Sequence, residues 1–191
     1  MPVSPPRPFN VAVSVDAPDA ALHDYLRGMP GLFNRLTAGI QQIRREQRKL
    51  RCHFPIIIRC VINALNYRLL PEMVAFTQRI GANSISFQPL TAETQEGRTE
   101  LWINHDQCSE LDDVINQLLS LKPQGAPILN PDMQLAMVPN HFRGELAPLP
   151  LRPCKIGLRN LHITSNGDVK LCVEYPPIGN IRARCQRYLA W

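Results

Sequence analysis

The chain has 191 residues, 45% of them hydrophobic and 19% charged, with 21 Lys+Arg against 16 Asp+Glu and a net charge of +5. That is the size of one domain or slightly more, and it is too apolar and too weakly charged for a disordered chain. The 18 prolines bracket regular segments instead of forming a tract, which excludes collagen, coiled coil and low-complexity linker.

In chain order, Phe9 to Asp16 reads as a short valine-rich buried strand that ends in polar residues. Gly28 to Gly31 is a break. Leu32, Phe33, Leu36, Ile40 and Ile43 then recur at helical spacing, predicting an amphipathic helix over 32–50 with its arginines outward. The densest basic cluster, Arg44, Arg45, Arg48, Lys49 and Arg51, lies on that helix and reads as a solvated face. With aromatics at only 6%, base stacking has little to work with, and no nucleic-acid partner is expected.

Pro55 opens a second strand, Ile56 to Ile62, β-branched and almost continuously apolar. Pro71 sits where proline is tolerated, in the first turn of a second helix that Gly81 stops. Asn83 to Phe87 is a third strand, closed by Gln88-Pro89. Ser109 and Asp112 resemble a capping box ahead of a third helix carrying Leu111, Val114, Ile115, Leu118 and Leu119 and ending near Lys122-Pro123. Apolar strands alternating with helices predict an α/β fold with a parallel sheet covered on both faces. Ligands gather at the carboxyl ends of such strands, and polar residues stand at all three: Ser14 and Asp16, Asn63 and Asn66, and Gln88.

From about Pro139 the character changes. Leu161 to Cys172 reads as a β-hairpin. A three-residue loop, Ser165-Asn166-Gly167, pairs Ile163 with Val169 and puts Gly167 at the left-handed position; a two-residue loop would pair Ile163 with Lys170. The three-residue register joins apolar to apolar and is the one expected.

No stretch approaches the ~20 apolar residues of a membrane span, and the first eight residues have no signal-peptide core, so a cytoplasmic chain without a membrane partner is expected. Six cysteines in a chain of this length do not make a secreted disulfide scaffold, and none forms C-x-x-C. Cys52, Cys60 and Cys108 read as small buried hydrophobes, and His53, His105 and His141 have no ligand-like spacing. Cys154 and Cys172, near one end of the hairpin, are the thiols best placed to meet on a soft metal.

Taken together, several segments resemble the radical S-adenosylmethionine (radical SAM) superfamily, in the branch with a C-terminal SPASM or twitch domain. They are Val13-Ser-Val-Asp16, His23-Asp24, Arg27-Gly28, Gly31-Leu-Phe33, Asn66, and Gly81-Ala with Ile85-x-Phe87-Gln-Pro89. Toward the far end come Cys154-x-x-Gly157, Leu161-x-Ile163, Gly167-Asp-Val-x-Leu-Cys172, Ile178-Gly-Asn-Ile181 and Leu189-x-Trp191.

The resemblance implies the C-terminal half of a partial (βα)6 TIM-like barrel over 9–138, after an unmatched proline-rich start at 1–8. It implies the opening of a SPASM/twitch hairpin domain over 139–191. In that family a [4Fe-4S] cluster on a CxxxCxxC loop cleaves S-adenosylmethionine reductively to a 5′-deoxyadenosyl radical, which abstracts hydrogen from a small molecule or a peptide. Ser14, Asp16, Asn63, Asn66 and Gln88 are then cofactor-binding, and Cys154 and Cys172 match ligands of an auxiliary iron–sulfur cluster. Cys185 does not follow the family pattern, and no catalytic residue is assigned.

This sequence departs from the family in lacking both CxxxCxxC and the Gly-Gly-Glu-type segment, so the chain is expected to be a fragment that does not cleave S-adenosylmethionine by itself. The alternative is an unrelated α/β binding or interaction module with structural cysteines.

Overall fold

The computed structural model describes residues 10–91, 99–145, 161–172 and 175–182. The chain divides into two compact units, Met1–Leu146 and Ala147–Trp191.

In the first unit, strand β1 (Val11–Ser14) is followed by helices α1 (Ala20–Arg27) and α2 (Leu32–Leu50) and strand β2 (Ile56–Ile62). Helix α3 (Leu70–Arg79), strand β3 (Ser84–Pro89) and helix α4 (Cys108–Leu121) come next. Two short helices close the unit, α5 (Asp132–Ala136) and α6 (Val138–Arg143). The sheet runs β1-β2-β3, and both pairings are parallel, with Val13 opposite Ile58 and Ile58 opposite Ile85. Parallel neighbours need long crossovers, and the helical stretches predicted over 32–50 and from Pro71 supply them as α2 and α3, while the one predicted before Lys122 is α4, after β3.

The expectation of a sheet covered on both faces is corrected. Along β2, Ile56, Ile58, Cys60 and Ile62 are buried, whereas Ile57 and Val61 are half-buried and Arg59 is exposed. Side chains alternate across a strand, so one face is the core and the other is open. The core face meets Ile40 of α2, Leu70, Met73 and Phe76 of α3, and Leu111, Ile115 and Leu118 of α4.

Helix α1 escaped the sequence reading because it is only eight residues long, about two turns. Its boundaries are chemical: the Asp19 side chain accepts from Leu22 N at 3.0 Å, and Gly28 ends it at φ 63°. The capping box expected at Ser109 and Asp112 is also corrected. Both residues lie inside α4, and the reciprocal box is formed one turn earlier by Asn104 and Gln107. Cys60 and Cys108 are buried as expected, but Cys52 is exposed, because it follows Arg51, which ends α2 in a left-handed conformation. The chain from Pro139 onward stays with the first unit through α6, where Val138 and Phe142 enter the core.

In the second unit, β4 (His162–Ile163), β5 (Asp168–Lys170) and β6 (Gly179–Asn180) form an antiparallel sheet. Ile163 pairs with Val169, the register of the three-residue loop, and Gly167 adopts φ 87°. Gly167 N donates to Thr164 O at 2.9 Å, and the Thr164 hydroxyl accepts from Asp168 N at 3.1 Å, closing the turn.

Candidate functional site

The open face of the sheet carries one polar row straight across the strands. Ser14 is paired with Arg59, and Arg59 with Ser86. One step further toward the carboxyl ends, Val61 is paired with Gln88. Side chains directly opposite in register point to the same face, so Ser14, Arg59, Ser86 and Gln88 converge on one surface. Ser14, Arg59 and Gln88 are exposed and Ser86 is half-buried. Ser14 and Gln88 are among the residues singled out from the sequence; Arg59 and Ser86 were missed. The available signal for them was the two-residue period of β2, which sets Arg59 opposite in sense to Ile58 and Cys60.

The other three singled-out residues sit behind this face, in a buried hydrogen-bonded knot. Asp16 is 4% exposed; its Oδ1 accepts from Val61 N at 2.9 Å and its Oδ2 meets Arg27 Nε at 2.6 Å. Asn66 donates through Nδ2 to the carbonyls of Asp16 and Val61, both at 2.8 Å, and accepts from Asn63 N at 2.8 Å. Asn63 accepts from Leu65 N at 3.0 Å and donates to Val61 O at 3.2 Å. The knot thus stitches the carboxyl end of β1 to that of β2, and its side-chain polar atoms are turned inward to the protein. The carboxylate of Asp16 and the amide of Asn66 are thus engaged within the protein.

His23 completes the knot. Its Nδ1 accepts from Asp16 N at 3.2 Å, which puts the ring proton on Nε2, and Nε2 is the one buried side-chain polar atom without a partner among the described residues. Burial lowers the His23 pKa against the opposing pull of the Asp16 carboxylate, so the ring stays neutral. Next to it, Asp24 caps α2 from a distance, accepting from Gly31 N and, at 2.8 Å, from Phe33 N. Burial also pushes the Cys60 thiol well up, which makes it a packing residue and not a nucleophile.

A similar device holds the far side of β3. Asn130 accepts from Phe87 N at 2.7 Å and donates to Phe87 O at 2.8 Å, taking the place of a neighbouring strand where Ile85 bridges Ile128 in parallel.

Among the described residues no three His, Cys, Asp or Glu side chains stand close enough to hold a metal ion. Cys172 is half-buried in the second unit, and Cys154 and Cys185 lie outside the described residues. The donors that are described do not fit a four-ligand iron–sulfur cluster. No helix is long and apolar enough to cross a membrane among the described residues.

No protein-family model matches the chain. In sequence it is 32% identical over 72 residues to an AdoMet-dependent heme synthase of Methanosarcina barkeri, a match that covers 38% of this chain and 19% of that protein. In structure it is similar to Streptococcus suis SuiB, with a TM-score of 0.56 at 15% identity over 90% of this chain and 40% of that one. SuiB bound to S-adenosylmethionine matches with a TM-score of 0.52 at 15% identity, over 86% of this chain and 37% of that one. SuiB bound to the precursor peptide SuiA matches with a TM-score of 0.55 at 14% identity, over 90% of this chain and 39% of that one. The chain therefore spans under half the length of each of these proteins, and at such identities the likeness to SuiB concerns the fold. The chain thus shares sequence with part of an AdoMet-dependent heme synthase and has a parallel βα sheet of the fold seen in SuiB.

Proposed function

We propose that this chain is the later βα portion of a partial (βα)6 barrel in a radical SAM enzyme, and that the open face of its sheet is a wall on which S-adenosylmethionine and substrate meet. The observation that carries this reading is the row Ser14–Arg59–Ser86, with Gln88 beside it, on the sheet face that stays open. S-adenosylmethionine presents a carboxylate, ribose hydroxyls and an adenine. Arg59 is the cation suited to the carboxylate, by a bidentate charge-assisted contact. The hydroxyls of Ser14 and Ser86 and the amide of Gln88 suit the ribose and the base. Asp16, Asn63 and Asn66 act in cofactor binding by holding the ends of β1 and β2 in place, since their own polar atoms are engaged within the protein.

When bound, S-adenosylmethionine with a reduced [4Fe-4S] cluster supplies the capacity to abstract a hydrogen atom from substrate. No residue described here is assigned to that cluster, and the chain alone is expected not to perform the cleavage. Cys154 and Cys172 are proposed as ligands of an auxiliary iron–sulfur cluster, to which no step is assigned. A peptide substrate is favoured over a small molecule because SuiB, which shares the fold, is known in complex with a precursor peptide. A cytoplasmic location belongs to the same proposal.

Isothermal titration of the chain with S-adenosylmethionine tests this reading. Saturable binding is expected, weakened roughly tenfold or more in Arg59→Ala by loss of the charge-assisted contact. Binding that is absent, or that is unchanged from the parent chain in both Arg59→Ala and Gln88→Ala, overturns it.

A further inference from the structure

We infer that a cleft between α2 and the end of α3 is a binding site for a phosphate-class oxyanion, separate from the open face of the sheet. The cleft, about 330 Å³ in volume, is lined by Gln41, Arg44, Arg45 and Arg48 of α2 and by Arg79, Ile80 and Gly81. It is therefore lined by four arginines in a chain whose whole net charge is only +5. Among the described residues, none of the four arginines has a carboxylate within ion-pair distance. The nearest acid on that helix, Glu46, faces Lys49 at 3.7 Å.

Arg44 gives the site its fixed cation. Its Nε donates to Gly81 O at 2.6 Å, and its two terminal nitrogens donate to Gln47 Oε1 at 2.8 Å and Asn83 Oδ1 at 2.6 Å. All three acceptors are neutral, so the guanidinium is held rigidly while its charge is left uncompensated. The carbonyls at the end of α3 offer no compensation either. Those of Phe76, Thr77 and Gln78 already accept from Ile80, Ala82 and Gly81. Arg79 stands over the Phe76 ring at 5.7 Å, and Arg45 and Arg48 are exposed, with their donors available to a ligand.

Four like charges around one small concavity repel one another, and that repulsion is relieved by an anion seated among them. Guanidinium forks match phosphate oxygens bidentately, and the volume admits one or two phosphate groups, not a folded partner. Such a ligand is either a free phosphate-bearing molecule or a headgroup displayed on a membrane; the chemistry at the cleft is the same.

The test titrates the chain with inorganic pyrophosphate by calorimetry, and separately with vesicles containing phosphatidic acid by sedimentation. Saturable binding to pyrophosphate identifies a free ligand, and binding to the vesicles alone identifies a displayed one; either supports the site. R45S/R48S is expected to weaken that binding by roughly tenfold or more, and R35S, on the same helix but outside the cleft, to leave it unchanged. Thermal melting of both variants checks that the fold persists, which the exposure of these side chains favours. Binding to neither probe, or equal loss in R35S and R45S/R48S, overturns the proposal.

Discussion

Arg27 Nε lies 2.6 Å from Asp16 Oδ2, and this pair ties the last turn of α1 to the chain just beyond β1. The Asp16 side chain is 6% exposed and that of Arg27 30%, so the carboxylate is desolvated while the cation keeps part of its hydration. Removing one partner of such a pair strands the other, and the Asp16 carboxylate also accepts from Val61 N. Asp16→Ala is expected to destabilise the first unit by about 2–4 kcal/mol. Asp16→Asn, which keeps an acceptor for Val61 N, is expected to cost less. Urea unfolding followed by circular dichroism orders the two; equal costs would show that the charge contributes nothing.

His23 makes the same knot sensitive to acid. Its pKa in the folded state is lowered, chiefly by burial, so the unfolded chain binds the proton more readily. The stability held by neutral His23 is complete above the ordinary histidine range, near pH 6.5, and is lost as pH falls through the lowered folded value. The melting temperature should fall between pH 7.5 and pH 5, and His23→Asn, whose Oδ1 still serves Asp16 N, should flatten that fall. A pH profile unchanged by the substitution would assign the acid sensitivity to other groups.

At the opposite limit stands Tyr67. It is buried, its hydroxyl donates to Glu110 Oε2 at 2.6 Å, and its pKa is pushed up to about 12, first by burial and then by that hydrogen bond. A raised folded value means stability that is intact below the ordinary tyrosine pKa of 10.0 and lost as pH climbs toward 12. Ultraviolet titration should show one tyrosinate appearing only near pH 12 in the folded chain. In Tyr67→Phe the late step disappears. Arg68 holds the other oxygen of Glu110 through Nε at 2.6 Å, so the link between the turn before α3 and α4 is weakened by the substitution and not broken.

Gly167 is the pivot of the second unit. At φ 87° an added Cβ would be strained, and it would meet Asn180 Oδ1 at 3.0 Å with Ile181 Cγ1 and Arg182 Cγ at 3.1 Å. Gly167→Ala should destabilise the hairpin by about 1–2 kcal/mol. Amide exchange at Thr164 and Ile181, whose N–H groups donate to Asp168 O and Gly167 O, is the readout. Unchanged protection there would mean that the side chains of Asn180, Ile181 and Arg182 move aside without cost.

Local chemistry was legible wherever the pattern repeats over a few residues. The apolar spacing from Leu32 to Ile43 foretold α2 to its observed limits, and the near-continuous isoleucines marked β2. The hairpin register followed from the need to put glycine at a left-handed loop position and to match Ile163 with Val169. Legibility failed where two local signals compete. Ser109-x-x-Asp112 has the form of a cap, yet the chain had already turned helical at Asn104 to Gln107, leaving Ser109 in the helix interior.

The amino-acid sequence by itself determined the strands, the crossover helices and hence a parallel α/β sheet, because apolar period and turn residues act over one or two turns of chain. Only the tertiary structure decided what the polar residues at the strand ends do. Asp16 finds Val61 N, and Asn66 finds the Asp16 carbonyl, through contacts between distant segments that no short-range pattern encodes. Those pairings engage the polar atoms of Asp16 and Asn66 within the protein, and cross-strand register brings Arg59 and Ser86 into line with Ser14. The physical reason is that a polar side chain near a strand end has two stable fates, a buried partner or open solvent, and the partner is chosen by the folded backbone.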